Sequence, residues 1–191
     1  MQLFLEKTFD KVNFSASPVE TGEYELCVFK SCDFSNVNLS GSRFIECQFD
    51  DCNLSLAKIT ETILRDASFN NCKMMGMMFN TSNGFGFSVA FNGCNLNHSS
   101  FYKRKMKGTT FKNSKLNEVD FTECDLTNTV FENCDFLDAT FENTILEKAD
   151  LRSSFNYSIN PGLNKIKKAK FSLSGIAGLL HQYDIEIDRH S

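Results

Sequence analysis

The stretch FKSCDFSNVNLSGSRFIECQFDDCNL, residues 29–54, decides the fold. Its four phenylalanines, Phe29, Phe34, Phe44 and Phe49, share one five-residue grid with Leu39 and Leu54. Two residues before each grid position stands a small side chain: Cys27, Cys32, Val37, Ser42, Cys47 and Cys52. The other three places in each five are mostly Asn, Asp, Ser, Lys and Glu. Two columns therefore point inward and three toward solvent. A period of five matches neither the 3.6 residues of a helix nor the two of a strand, so the chain must turn every few residues.

Working outward, the grid runs through Tyr24, Phe29, Phe34 and onward to Phe79, and after a shift in phase from Phe91 to Leu151, twenty-five positions without a miss. Phe4, Phe9, Phe14 and Val19 keep the first phase, less regularly because of Pro18 and the segment ETGEYE. The small column continues through Ala57, Thr62, Ala67 and Cys72, then Val89, Cys94 and Ser99 to Ala149; Arg104 is its one large member in the second block. Of twenty phenylalanines, seventeen lie on the grid, counting Phe171. Phe85, Phe87 and Phe155 do not, and all three fall where the rhythm breaks.

Composition narrows the class. The chain has 191 residues and a formal charge of −4, with no apolar run near 18 residues, so a single unit without a membrane span or membrane partner is expected. The opening MQLFLEKTFD reaches Glu6 and Lys7 before an apolar core of secretory length can form. A cytoplasmic location follows as the expectation, with the eight cysteines reduced.

Units such as CDFSN, VNLSG, CNLSL, VDFTE, CDLTN and ADLRS resemble the A(D/N)LXX unit of the pentapeptide-repeat family, over about residues 22–153. That resemblance implies an all-β solenoid: a right-handed quadrilateral β-helix with four repeats, hence twenty residues, per coil. Residues twenty apart would then stack about 4.8 Å apart, as neighbouring parallel strands do. Opposite charges recur at that spacing: Lys103 with Glu123, Lys105 with Asp125, Lys112 with Glu132, Lys115 with Asp135, Glu132 with Arg152, Glu147 with Lys167 and Asp150 with Lys170. Such pairs fix register more than they stabilise.

The two breaks delimit the rest. Residues 1–171 read as the β-helix, with a phase break at 82–88 (SNGFGFS) and a loop at 154–163 (SFNYSINPGL). Residues 172–191 read as a capping segment and tail. In SLSGIAGLLHQYD, Leu173, Ile176 and Leu180 recur at helical spacing, so a short C-terminal α-helix is expected to cap the solenoid or to bury itself in a homodimer. The tail YDIEIDR alternates as an edge strand would. At the first break, Gly84 and Gly86 suit a protruding loop. Phe85 and Phe87 either fold back as a plug or, with Met75 and Met78, present an apolar patch to a partner.

Chemistry is sparse. There is no CxxC, the histidines His98, His181 and His190 stand apart from the cysteines, and no phosphate loop or dinucleotide fingerprint occurs. All eight cysteines sit in the small inward column, so no metal and no cofactor is expected, and no enzyme. Non-enzymatic protein binding is the expected function. CDFSNVNLSGSRFIECQF, residues 32–49, is similar to the Qnr quinolone-resistance branch of the family, whose members bind DNA gyrase and topoisomerase IV. That implies a type II topoisomerase as partner, without direct nucleic-acid contact; a general cytosolic scaffold is the alternative. The grid itself is testable by thermal melting. Phe121→Asp should abolish folding by placing a carboxylate inside the rod, whereas Asn133→Asp at an outward position should leave the melting temperature nearly unchanged.

Overall fold

The computed structural model describes residues 1–17 and 19–187. Among them, eleven short strands follow in chain order: β1 (Gln2–Leu5), β2 (Thr8–Asp10), β3 (Gly22–Glu25), β4 (Val28–Lys30), β5 (Arg43–Ile45), β6 (Gln48–Asp50), β7 (Ile63–Arg65), β8 (Ala67–Asn70), β9 (Val89–Asn92), β10 (Thr110–Lys112) and β11 (Val130–Glu132). They form two parallel sheets, β1-β3-β5-β7 and β2-β4-β6-β8-β9-β10-β11. Phe9 pairs with Phe29, Phe29 with Phe49, and Phe49 with Phe69, each twenty residues on. Four repeats therefore complete one coil. At β8–β9 the partner of Phe69 is Phe91, so the two extra residues of the first break fall between them.

The corners explain why strands stop after three or four residues. Two positions after most grid residues, the backbone adopts positive φ: 54° at Leu26, 51° at Ser31, 60° at Asn36, 52° at Glu46. Gly41, Gly76, Gly93 and Gly108 occupy the same place. None of the non-glycine residues with positive φ is β-branched, because a branched Cβ suffers most in this left-handed region.

Grid side chains fill the axis. Phe9, Phe29, Phe49, Phe69, Phe91, Phe111 and Phe131 stack nearly parallel, with successive ring centroids 4.7 to 5.4 Å apart. A second ladder runs through Phe79, Phe101, Phe121 and Phe141 at 4.5 to 5.3 Å. Burial of each ring supplies about 1.5 to 3 kcal/mol before chain entropy is subtracted.

The small column does more than make room. Cys52 Sγ lies 3.3 Å from the Phe29 carbonyl, Cys72 Sγ 3.4 Å from that of Phe49, and Cys94 Sγ 3.3 Å from that of Phe69. Hydroxyls do the same: Thr144 Oγ1 donates to Phe121 O at 2.8 Å and Ser154 Oγ to Phe131 O at 3.0 Å. Thiols and hydroxyls thus act as donors to carbonyls that face the dry interior.

Three of the seven charge pairs form: Lys103 with Glu123 at 3.5 Å, Lys112 with Glu132 at 2.9 Å and Lys170 with Asp150 at 3.5 Å. Asp125 is taken instead by Lys107 at 3.2 Å and Asp150 also by Arg152 at 2.7 Å. Residues twenty apart are aligned in backbone, as in the bridges of Lys105 with Asp125 and Lys115 with Asp135. A long side chain nevertheless reaches a carboxylate two residues along as easily as one directly across.

The C-terminal segment corrects the expected α-helix. It contains only two 3-10 turns, Ile176–Leu179 and His181–Tyr183, ended by Asp184 at φ 48°. A Cβ on Gly178 would collide with the Tyr157 carbonyl, and one on Gly175 with the Tyr157 hydroxyl. Two glycines let the chain close over the buried Tyr157, and glycine disfavours an α-helix by about 1 kcal/mol each. Leu179 is buried there, whereas Leu173 and Ile176 are 88% and 47% exposed and Leu180 is half-buried. Residues 184–187 are not a strand; Asp188, Arg189 and His190 lie outside the described residues, as does Pro18. Residues 154–163 hold register better than a free loop: Ser154, Ile159 and Asn164 keep the small column buried, and Phe155 bridges Asp135.

The corner geometry yields a stability test. Glu46→Asn should raise stability by about 0.5 to 1 kcal/mol, or roughly 1 to 4 °C in Tm, because asparagine tolerates positive φ. Glu46→Val should lower it by at least about 1 kcal/mol.

Candidate functional site

The first sheet stops at β7 because the chain leaves the coil there. Asn83 N–H still donates to Thr62 O at 2.9 Å, and Ser88 N–H to Leu64 O at 3.0 Å. Between these two anchors, residues 84–87 depart from the coil, with Gly86 at φ 66°. Side chains pin both ends. Asn83 Oδ1 accepts from Phe85 N–H at 2.9 Å, Asn83 Nδ2 donates to Glu61 Oε2 at 3.0 Å, and Ser88 Oγ donates to Asp66 Oδ1 at 2.7 Å. The protrusion is a built loop.

Its two phenylalanines divide between the alternatives left open by the sequence. Phe85 is 84% exposed. Phe87 turns back, half-buried against the core, with its ring edge-on to Phe79 at 6.4 Å. Met75 and Met78, 38% and 46% exposed, precede the 3-10 turn Phe79–Thr81. Phe85 and the two methionines thus offer apolar surface, while Phe87 belongs to the packing.

Arg104 holds the arrangement. It occupies a small-column position, is buried, and its Nη2 donates to Asn80 O at 2.8 Å and to Ser82 O. The guanidinium lies 5.3 Å from the Phe87 ring centroid. Burial draws its pKa down, with the Glu61 charge opposing, and the very high intrinsic pKa of arginine keeps it charged. One cation therefore ties together two main-chain carbonyls at the start of the break by charged hydrogen bonds. The sequence shows Arg104 as an anomaly in its column; the link to the break becomes visible only when the coil is wound.

Among the described residues, no group of three or more His, Cys, Asp or Glu side chains could hold a metal ion. All eight thiols are free and buried. Burial pushes Cys47 and Cys124 up to about 12 and Cys134 up to about 11, so these remain protonated at neutral pH. No helix of the described residues is long and apolar enough to cross a membrane. Leu173, Ile176 and Leu180 lie at the C-terminal end, away in sequence from the break. Arg104→Leu should cost about 2 to 4 kcal/mol in urea unfolding, since a buried carbonyl and a part-buried one lose a charged donor. Chymotrypsin should cut the variant faster than the parent at Phe85 and Phe87.

The full-length structure of QnrB1, a plasmid-mediated fluoroquinolone resistance protein, aligns over 96% of this chain and 100% of its own, at 19% identity and a TM-score of 0.45. HetL, a pentapeptide repeat protein involved in heterocyst differentiation regulation from the cyanobacterium Nostoc sp. strain PCC 7120, aligns over 91% and 87% at 13% identity and 0.48. Rfr23 from the cyanobacterium Cyanothece 51142 aligns over 56% and 88% at 15% and 0.26. No curated protein matches the chain. The sequence profile of the pentapeptide repeat region matches residues 22–84 and 87–154, on either side of the clamped loop. With its five-residue grid and twenty-residue coil, the chain belongs to the pentapeptide-repeat family.

Proposed function

We propose that this chain is a non-enzymatic protein-binding rod in the cytoplasm, with the clamped loop as its contact. The carrying observation is Phe85, 84% exposed on a loop pinned by Asn83, Ser88 and Arg104. An aromatic side chain held in place loses little further freedom on binding, and such residues dominate interface energetics. Met75 and Met78 add adaptable apolar surface on the neighbouring segments. The acidic run from Glu118 to Asp150 is a weaker contact, because much of it is engaged within the rod. His98 meets Glu118 at 3.1 Å, Ser100 meets Asp120 at 3.1 Å, and Lys103, Lys107, Lys112 and Arg152 hold Glu123, Asp125, Glu132 and Asp150.

The first candidate partner is a type II topoisomerase, DNA gyrase or topoisomerase IV, protected from quinolones. This rests on the Qnr-like text of residues 32–49. A cytosolic scaffold for another protein is the alternative. Leu173, Ile176 and Leu180 are the proposed homodimer face, with Leu173 and Ile176 presenting apolar surface at the C-terminal end. A gyrase supercoiling assay with a fluoroquinolone tests the partner. Micromolar protein should relieve inhibition, and Phe85→Ala should lose at least about tenfold in potency. No relief would remove the topoisomerase reading and leave the scaffold. Light scattering of the parent and Leu173→Glu would show whether the C-terminal face pairs.

A further inference from the structure

The break leaves one rung of the first sheet's face unfilled, and the backbone beyond it is open. In a regular coil, three groups on each face reach back to the coil before. On the segment around Leu126, Asp125 N–H donates to Arg104 O at 2.9 Å, Asp125 O accepts from Met106 N–H at 2.8 Å, and Thr127 O accepts from Gly108 N–H at 2.9 Å. The corresponding groups one coil earlier are Lys105 N–H, Lys105 O and Lys107 O. Among the described residues none of the three has a hydrogen-bond partner, and Lys105 bridges only Asp125, on its far side. The carbonyl that would accept from Lys105 N–H is that of Ser82, and Arg104 Nη2 has taken it.

These groups border a groove of about 570 Å³, lined by Phe87, Ser88, Lys105, Met106, Lys107 and Thr110 among others. Phe87 and Met106 give it apolar character. Its rim is cationic: Lys105 has no carboxylate partner among the described residues, while Lys107 is held by Asp125 at 3.2 Å. Asp66, the acid nearest Ser88, is engaged by the Ser88 hydroxyl. One N–H and two carbonyls in strand order, beside free positive charge, match the main chain of an extended acidic peptide.

We propose that this groove binds an extended, acidic segment of a partner protein as an added strand, replacing the rung that the loop vacates. Three or four residues at about 3.3 Å each span the gap. Main-chain hydrogen bonds would fix the segment, and Lys105 would select for carboxylates. The inference is independent of Phe85 and of any topoisomerase.

The test uses the whole chain and the N-acetylated, C-amidated pentapeptide Glu-Val-Asp-Val-Glu, followed by amide hydrogen exchange and NMR titration. In the free protein the Lys105 amide should exchange at least about tenfold faster than that of Asp125, and saturating peptide should slow it by a similar factor. Lys105→Glu should weaken binding by about tenfold with melting unchanged, and Phe85→Ala should leave binding as it was. Equal protection of the Lys105 and Asp125 amides in the free chain would overturn the proposal, as would no binding at millimolar peptide. So would unchanged affinity for the peptide N-methylated along its backbone, or displacement of the peptide by a single-stranded oligothymidine, since either would reduce the groove to a cationic patch.

Discussion

Backbone hydrogen bonds between coils, such as Gln48 N–H to Cys27 O at 2.9 Å and Ser68 N–H to Cys47 O at 2.9 Å, impose one register on the whole rod. Every bond ties a residue to another one coil away, so no coil can lengthen without losing bonds on both neighbours. That constraint dictates the five-residue grammar: a small donor, an outward residue, a large inward residue, an outward residue, and a corner. It also explains why strained corners recur. A positive φ at Glu46 or Lys148 is unfavourable locally, yet each such corner closes a turn that lets a grid side chain enter the core.

The same constraint shows what two extra residues do. The second sheet stays continuous from β8 to β9, so the surplus has to leave through the first sheet, which ends at β7. Beside the lost rung lie the carbonyls of Asn80 and Ser82. Arg104 meets them, at the desolvation cost of placing a cation in a column otherwise made of small side chains. Loop, arginine and groove are one accommodation of a two-residue insertion.

Much of this is legible in the sequence for a physical reason. Inward positions are fixed by period alone, so grid residues such as Phe29, Phe111 and Leu146 are found buried where the pattern puts them. Features that depend on which of two neighbours a group prefers are not legible. Asp125 could be assigned to Lys105 or to Lys107 only once side-chain reach was known. In sequence the C-terminal turn reads as helical because Leu173, Ile176 and Leu180 share the right spacing. Gly175 and Gly178, which make room for Tyr157, decide against it. The open edge at Lys105 is not legible for a deeper reason, since an unpaired donor leaves no mark in composition or period.

The cysteines follow from the same logic. A small inward residue must fit beside a ring and, on many coils, satisfy a carbonyl facing the axis. Cysteine meets both demands with more apolar volume than serine and less polarity than threonine. The ladder Cys32, Cys52, Cys72, Cys94 gives way to Ser114, Cys134 and Ser154 along one column, with thiols and hydroxyls serving the same carbonyl positions. Their interchange argues for hydrogen-bonding and volume as the selected properties, not thiol reactivity. Repeated coils present nearly uniform sides, and a uniform side offers a partner many equivalent registers. A distinct address on such a rod has to come from a place where the repeat fails, which is where Phe85 and the unpaired edge of Lys105 both lie.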